Sequence, residues 1–240
     1  MNHKHSNHNR PTIGRSNPFS TRFVRPGAIE YIFPQDDSGP QGDDAERMVA
    51  RLQNAAWRGQ IVGPHGTGKS ALLATLLPAI RRSGKKPLLV ELHDGQRRLP
   101  VDLTRLSLES GRIVLIVDGY EQLSWWSRFR LKRFCRRHYI GLLVTSHKPM
   151  GLPELYRTNP TPELAVQIVE KLLAGKSFDQ STSTEVRATF ARHGGDIREM
   201  LFELYDFYEQ QSRSAPHRVH KQQSGTSHSH NRNFRQGKRT

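Results

Sequence analysis

The spacing of apolar residues divides the chain into two regimes. Over residues 43–160 short apolar runs alternate with helix-like patterns, and over 161–210 only helix-like patterns remain. Met48, Leu52 and Ala55 share one helical face behind Asp43 or Asp44, either of which can cap, so a helix is expected from there to about Trp57. Strands are expected over 60–62, 87–92, 112–117 and 140–145, helices over 69–82 and 122–138, and a short helix over 101–108. Such alternation predicts an α/β fold, a three-layer arrangement with a parallel sheet between helices. The second regime predicts helices over 162–174, 183–193 and 196–210, which together make a small C-terminal all-helical lid.

The flanks break the pattern. Residues 1–42 combine a polar, basic start with a Pro-punctuated stretch holding Phe19, Phe23, Tyr31 and Phe33, too aromatic for a bare linker and expected to pack on something. Residues 211–240 are again polar and basic. Five Lys or Arg precede Glu30 and seven follow Glu209, with no acid in either stretch, so the ends carry 12 of the net charge of +15. Segments of this composition cannot bury enough apolar surface to offset ordering, and both ends are expected to be disordered tails. The start, Met1 to Arg10, has no apolar core of a secretory signal, and no run is long enough to span a bilayer, so no membrane partner and a cytoplasmic location are expected. His3, His5, His228 and His230 lack supporting cysteines or acids and define no metal site. The single cysteine, Cys135, falls in a helical pattern where a buried thiol is the simplest role.

One segment changes the picture from fold to chemistry. Gly63, Pro64, His65, Gly66, Thr67, Gly68, Lys69 and Ser70 satisfy G-x-x-x-x-G-K-[ST] between an expected strand and the helical run that begins at Ala71. Glycines let backbone N–H groups curve around phosphates, and the helix N-terminus adds partial positive charge. Lys69 is placed to meet β and γ oxygens, and Ser70 to ligate Mg²⁺. A nucleoside triphosphate with magnesium is the expected ligand; a ligand-free Gly-rich turn is the alternative.

Three further positions follow from that loop. Asp118 ends the run Ile113 to Val117, where a carboxylate is costly unless a cation or donor meets it, so it is expected to be the second magnesium-associated group; capping the next helix is the alternative. Glu121 is the nearest carboxylate that could orient or deprotonate water, or else a first-turn acid favoured by the helix dipole. Thr145 and Ser146 lie at the carboxyl end of the next strand, where either is a candidate for contact with the γ-phosphate or attacking water, against a local turn with Lys148 and Pro149. In the lid, Gly194 and Gly195 end one helix, Asp196 caps the next, and Arg198 is a cation in its first turn, opposed by the dipole and therefore in need of a partner: a triphosphate held under the lid, or a carboxylate such as Glu199 or Glu203.

The helix after Glu121 places Leu123, Ser127, Leu131, Phe134 and Cys135 on one side, and Arg128, Lys132, Arg133, Arg136 and Arg137 on the other. That basic face, with the tails, suits nucleic acid or an acidic protein; a solvated face is the alternative. Trp125 and Trp126 beside it could stack on bases, although packing is the simpler expectation for at least one.

Taken together, the P-loop, the strand ending at Asp118, the polar strand end at Thr145 and Ser146, the helical lid and Gly195-Asp196-Ile197-Arg198 resemble a AAA+ ATPase, in the group that includes clamp loaders and replication initiators. The resemblance runs from about Asp43 to Gln210. It implies ATP as the nucleotide, hydrolysis coupled to lid motion, a γ-phosphate contact from Arg198, and a homo-oligomer in which Arg136, Arg137 or Arg157 serves a neighbouring subunit. The chain departs from the family where an adjacent Asp-Glu pair is usual: here Asp118-Gly119-Tyr120-Glu121 intervenes. A nucleotide-dependent binding module without hydrolysis is a second reading, and a small-molecule kinase a third.

Overall fold

The computed structural model describes residues 17–25, 28–33, 44–173 and 178–214, with the side chains of the last four excepted. The basic tails therefore lie outside the described residues, apart from the ends that adjoin these segments. Five parallel strands form the sheet: β1 (Arg58–Val62), β2 (Lys86–Glu91), β3 (Ile113–Asp118), β4 (Gly141–Ser146) and β5 (Glu154–Arg157). Their spatial order is β2-β3-β4-β1-β5. β3 and β4 are buried along almost their whole length, because helices cover both faces of a parallel sheet and leave no polar side.

Helix α1 (Thr21–Val24) is a single turn near the start. On one face of the sheet, α2 (Asp44–Asn54) brings Met48, Val49 and Leu52, and α3 (Lys69–Arg82) brings Leu72, Leu73, Leu76 and Ile80, against Ile61, Val114, Ile116 and Leu143. On the other face, α4 (Leu103–Ser107) and α5 (Trp125–Arg137) set Leu106, Leu131 and Cys135 against Leu115, Val117, Leu142 and Val144. The three layers expected from the alternation are these.

The lid holds α6 (Pro162–Leu172), α7 (Gln180–Arg192) and α8 (Ile197–Ser214). Thr161 accepts from Leu164 N at 3.2 Å and Asp179 from Thr182 N at 2.8 Å, so each of the first two helices starts at a residue that satisfies an otherwise unpaired amide. Ala165, Val169, Val186, Phe190, Met200 and Leu204 form a separate small core. The N-terminal segment ties the lid to the sheet: Phe19 is buried in the lid core and Asn17 Nδ2 donates to Tyr205 O at 3.1 Å, while Tyr31 N donates to Thr75 Oγ1 of α3 at 2.9 Å. Among the described residues no helix is long and apolar enough to cross a membrane.

Three local expectations are corrected. The helix expected to run to Trp57 stops at Asn54, because Ala56 and Trp57 take left-handed φ angles of 52° and 60° that a helix cannot continue. The helix expected from residue 122 begins at Trp125: a 3₁₀ turn spans Tyr120–Gln122, and Ser124, extended at φ −60° and ψ 154°, caps α5 by accepting from Ser127 N. β5 was not anticipated at all. Its four residues, Glu-Leu-Tyr-Arg, are too short to stand out as a strand, and pairing with β1 is what defines them.

Candidate nucleotide-binding site

β1 delivers the chain to Gly63, and α3 leaves it at Lys69, so the phosphate-loop motif lies at the carboxyl edge of the sheet. The loop is braced from β4 and from Thr158, and by one bond of its own. Gly63 N donates to Ser146 O at 3.1 Å, Thr67 Oγ1 donates to Pro64 O at 2.9 Å, and Thr67 and Thr158 share a hydroxyl hydrogen bond of 2.6 Å. Gly66, at φ +61°, is a glycine for two reasons: the angle disfavours a side chain, and a Cβ there would meet the Asp196 carboxylate at 1.7 Å. Gly68 precedes α3 without any side-chain cap, which leaves first-turn amides of α3 free to receive an anion.

Lys69 Nζ folds back onto this loop, donating to Gly63 O at 2.7 Å and to Pro64 O. Burial pulls its ammonium below the usual lysine range, Glu121 and Asp118 pull it up again, and Arg198 pushes it down. Those causes also record the assembly of the site: groups from β3, the 3₁₀ turn and the lid all surround one lysine.

Asp118 ends β3 and receives two hydroxyls. Ser70 Oγ donates to its Oδ2 at 2.6 Å, and Thr145 Oγ1 donates to its Oδ1. Gly119 N in turn donates to Thr145 Oγ1 at 2.9 Å. Asp118 caps no helix; the turn that follows begins at Gly119 without a side-chain cap. A serine hydroxyl and a carboxylate paired at the foot of a phosphate loop are hard oxygen donors, which suit magnesium. The lysine, uncapped amides and oxygen pair thus fit a magnesium nucleoside triphosphate.

Ser146 and Glu121 are placed differently. Ser146 is fully buried and its Oγ donates to Lys148 O at 2.7 Å, in the local turn, while its carbonyl holds Gly63. Glu121, on the 3₁₀ turn, pairs through Oε1 with His147 Nε2 at 2.6 Å. Glu121 Oε2 and His147 Nδ1 are buried without a hydrogen-bond partner. His147 also lies against His65 of the phosphate loop, with ring centroids 3.6 Å apart.

The lid meets the loop directly. Ile197 N donates to Gly66 O at 3.2 Å, and Asp196 caps α8 by accepting from Arg198 N at 2.8 Å and Glu199 N at 3.1 Å. The Arg198 side chain is exposed, on the first turn of α8, close enough to influence Lys69. His193 and Arg192 of α7 pair with Glu203 of α8, and Arg198 forms no salt bridge among the described residues.

The face of α5 differs from its expected division. Arg128 and Lys132 turn inward: Arg128 Nη1 reaches Met150 Sδ at 2.9 Å, and Lys132 Nζ donates to Met150 O and Gly151 O. Trp125, Trp126 and Phe129 are 61%, 65% and 52% exposed, contrary to the expectation that at least one tryptophan packs. The outer face is therefore Trp125, Trp126, Phe129, Arg130, Arg133, Arg136 and Arg137, with no acid paired to these arginines among the described residues. Arg97 O receives Ser124 N at 3.1 Å and Ser127 Oγ at 2.9 Å, which sets the exposed Arg97 and Arg98 beside the tryptophans.

Sequence reasoning missed His147, Thr158 and the role of Tyr31, whose ring lies 3.2 Å from where a Gly68 Cβ would be. Only His147 carried a signal, as the residue directly after the polar strand end.

No protein-family model matches the chain, and no curated protein matches it. Among solved structures it is similar to the replication initiator DnaA bound to AMPPCP and single-stranded DNA, at 13% identity and TM-score 0.47, over 76% of this chain and 66% of that one. It is similar to a chain of the E. coli MS115-1 HORMA:CdnC:Trip13 complex at 13% identity and TM-score 0.41, over 65% and 78%. A RuvB variant from Thermotoga maritima gives 14% identity and TM-score 0.46, over 71% and 62%. The chain thus spans slightly less than two thirds of the DnaA and RuvB chains. Likeness at this level carries no inference about activity or partner. The fold is α/β, a five-stranded parallel sheet between helices with a separate helical unit beyond it, and the phosphate-loop motif lies at the sheet's carboxyl edge.

Proposed function

We propose that this chain is a MgATP-binding ATPase of AAA+ type, in which nucleotide occupancy changes how the lid rests on the phosphate loop. The observation that carries the reading is the convergence of Lys69, Ser70, Asp118 and Thr145 at one sheet edge, beneath the start of α8. Gly63, Pro64, His65, Gly66, Thr67 and Gly68 form the cradle, and the amides through Ala71 face the phosphates. Lys69 exchanges the Gly63 and Pro64 carbonyls for β and γ oxygens. Ser70 and Asp118 hold magnesium, which supplies charge neutralisation to the transferred phosphoryl group. Glu121 accepts a proton from the attacking water, Ser146 supports the loop from behind through its carbonyl, and Arg198 reaches the γ-phosphate from the lid.

The partner surface in this reading is the outer face of α5, with Arg97 and Arg98, and the partner is single-stranded nucleic acid. Exposed aromatic rings offer stacking to any base, and the unpaired arginines offer phosphate contacts. The 3₁₀ turn that carries Glu121 leads directly into this face, so partner and nucleotide sites share one short segment. Arg136 and Arg137 are exposed and free to serve a neighbouring subunit of a homo-oligomer, whereas Arg157 is engaged by Glu154.

A second reading, a nucleotide-gated binding module without turnover, is favoured by one observation: Glu121 is held by His147. Steady-state ATP hydrolysis with and without DNA and RNA, alongside Lys69→Ala and Glu121→Gln, separates the two. Turnover that requires Lys69 and rises with single-stranded nucleic acid supports the ATPase. Tight MgATP binding with no turnover supports the module, and stimulation by an acidic protein alone would replace the nucleic-acid partner.

A further inference from the structure

The two histidines at the phosphate loop have no place in the chemistry above, yet they touch both the loop and its candidate base. His65 sits between Pro64 and Gly66, and Lys69 rests on carbonyls on its upstream side. Its ring lies against that of His147, tilted by 35°. His147 Nε2 in turn donates to Glu121 Oε1. This tautomer leaves His147 Nδ1 as an acceptor, and Glu121 Oε2 is an acceptor as well; both are buried and unsatisfied. Unpaired buried acceptors destabilise the resting arrangement, so a modest push can release it.

We propose that His147 is the positioning residue of Glu121, and that His65 transmits occupancy of the phosphate loop to it. With the loop empty, His147 holds Glu121 by its side. Phosphate binding draws Lys69 off the Gly63 and Pro64 carbonyls, the loop around His65 resets, the ring contact changes, and Glu121 is released to orient water. The inference rests on the ATPase reading for its consequence and on the ring geometry for its mechanism.

The groups facing His147 are Glu121 from the 3₁₀ turn, and His65, Lys69 and the Gly63 carbonyl from the loop. Burial is the main cause that favours its neutral ring, with Lys69 and His65 acting the same way, and Glu121 and the Gly63 carbonyl against them. A neutral ring is a hydrogen-bond donor that can let go, whereas an imidazolium would grip the carboxylate. Hydrolysis should therefore decline as pH falls below the usual histidine range, and that limb should be absent from His147→Asn, whose amide donates at every pH.

The test uses the full chain and reads histidine side chains by nitrogen–proton correlation spectroscopy, with His147 and His65 assigned from His147→Asn and His65→Asn. On saturation with MgATP, or with a non-hydrolysable analogue, the His147 ring resonances should move in the wild type and stay in place in His65→Asn at equal occupancy. Kinetically, His147→Ala should free Glu121 from its resting hold, so kcat should not fall, KM should change little and the decline at low pH should disappear, while His147→Asn should restore the hold without the pH dependence. A loss of kcat of about tenfold in His147→Ala would overturn the release. Thermal melts of both variants establish that they fold. Unmoved His147 resonances in a wild type that binds MgATP would overturn the relay even if the protein hydrolyses ATP. A moving resonance with no turnover in any variant would uphold the relay and reject the ATPase reading. Failure to bind MgATP would overturn both.

Discussion

Lys69 and the arginines on the outer face of α5 carry the same charge in opposite settings. Lys69 is half-buried, with Glu121, Asp118 and Asp196 around it, and its ammonium is hydrogen-bonded to loop carbonyls. Arg130, Arg133, Arg136 and Arg137 are exposed, with no acid paired to them among the described residues. The first setting is prepared: a phosphate arriving there replaces weaker acceptors on groups already in position, in a partly dry site where each interaction is strong. The second is unprepared, and a polyanion binding there would depend on counterion release and stacking. A small ligand of fixed shape suits the first, and a flexible polyanion the second.

Removing one cation from each setting should show the contrast at its largest. Lys69→Ala is expected to weaken MgATP binding by about a hundredfold or more, the scale of one charged donor lost from a preorganised anion site, measured by titration with a fluorescent ATP analogue. The α5 face should respond to salt. With about four phosphates neutralised, the logarithm of single-stranded DNA affinity should fall against that of salt with a slope of about −3, and replacing all four exposed arginines by Gln should bring the slope toward zero. A wild-type slope near zero would remove the face from nucleic-acid binding.

Trp126→Ala then separates stacking from charge, with an expected loss of about 1–3 kcal/mol in the same DNA titration and no change of slope. Asp196→Ala tests how far the lid is fixed at the prepared site. Losing the cap of α8 should lower stability by about 1 kcal/mol in denaturant unfolding. The smallest effect belongs to Cys135, beneath the outer face of α5. Burial raises its thiol to about 12, so thiolate is scarce at neutral pH and becomes available only as pH rises or the chain unfolds. Alkylation of native protein at pH 8 should be slow, and fast in denaturant; rapid native alkylation would mean that α5 lifts from the sheet.

Much of this was legible along the chain. The alternation of apolar runs with helical patterns led to the three layers, and the run Ile113 to Val117 placed Asp118 correctly at a strand tip. Ser70 and Asp118, 48 positions apart, were matched in advance because each belongs to a recognisable local unit. Glu121 was not legible in the same way. Its distance from Asp118 suggested a helical face, but the chain forms a 3₁₀ turn there and α5 starts only after Ser124. Likewise the basic face of α5 was drawn from helical spacing alone, and Arg128 and Lys132 left it because the β4–β5 loop offered Met150 and Gly151 as acceptors.

What the sequence determined by itself was set by neighbours a few residues apart: the longer strands and helices, the glycine-rich loop that joins β1 to α3, and the Asp196 cap of α8. Periodicity, glycine freedom and capping are local physics. What only the tertiary structure decided was the choice of partner across the sheet. β4 lies between β3 and β1, so Thr145 meets Asp118, Ser146 braces Gly63, and His147 stands between His65 and Glu121. Strand order is fixed by how the layers pack over the whole core, and no spacing along the chain encodes which tips will stand side by side.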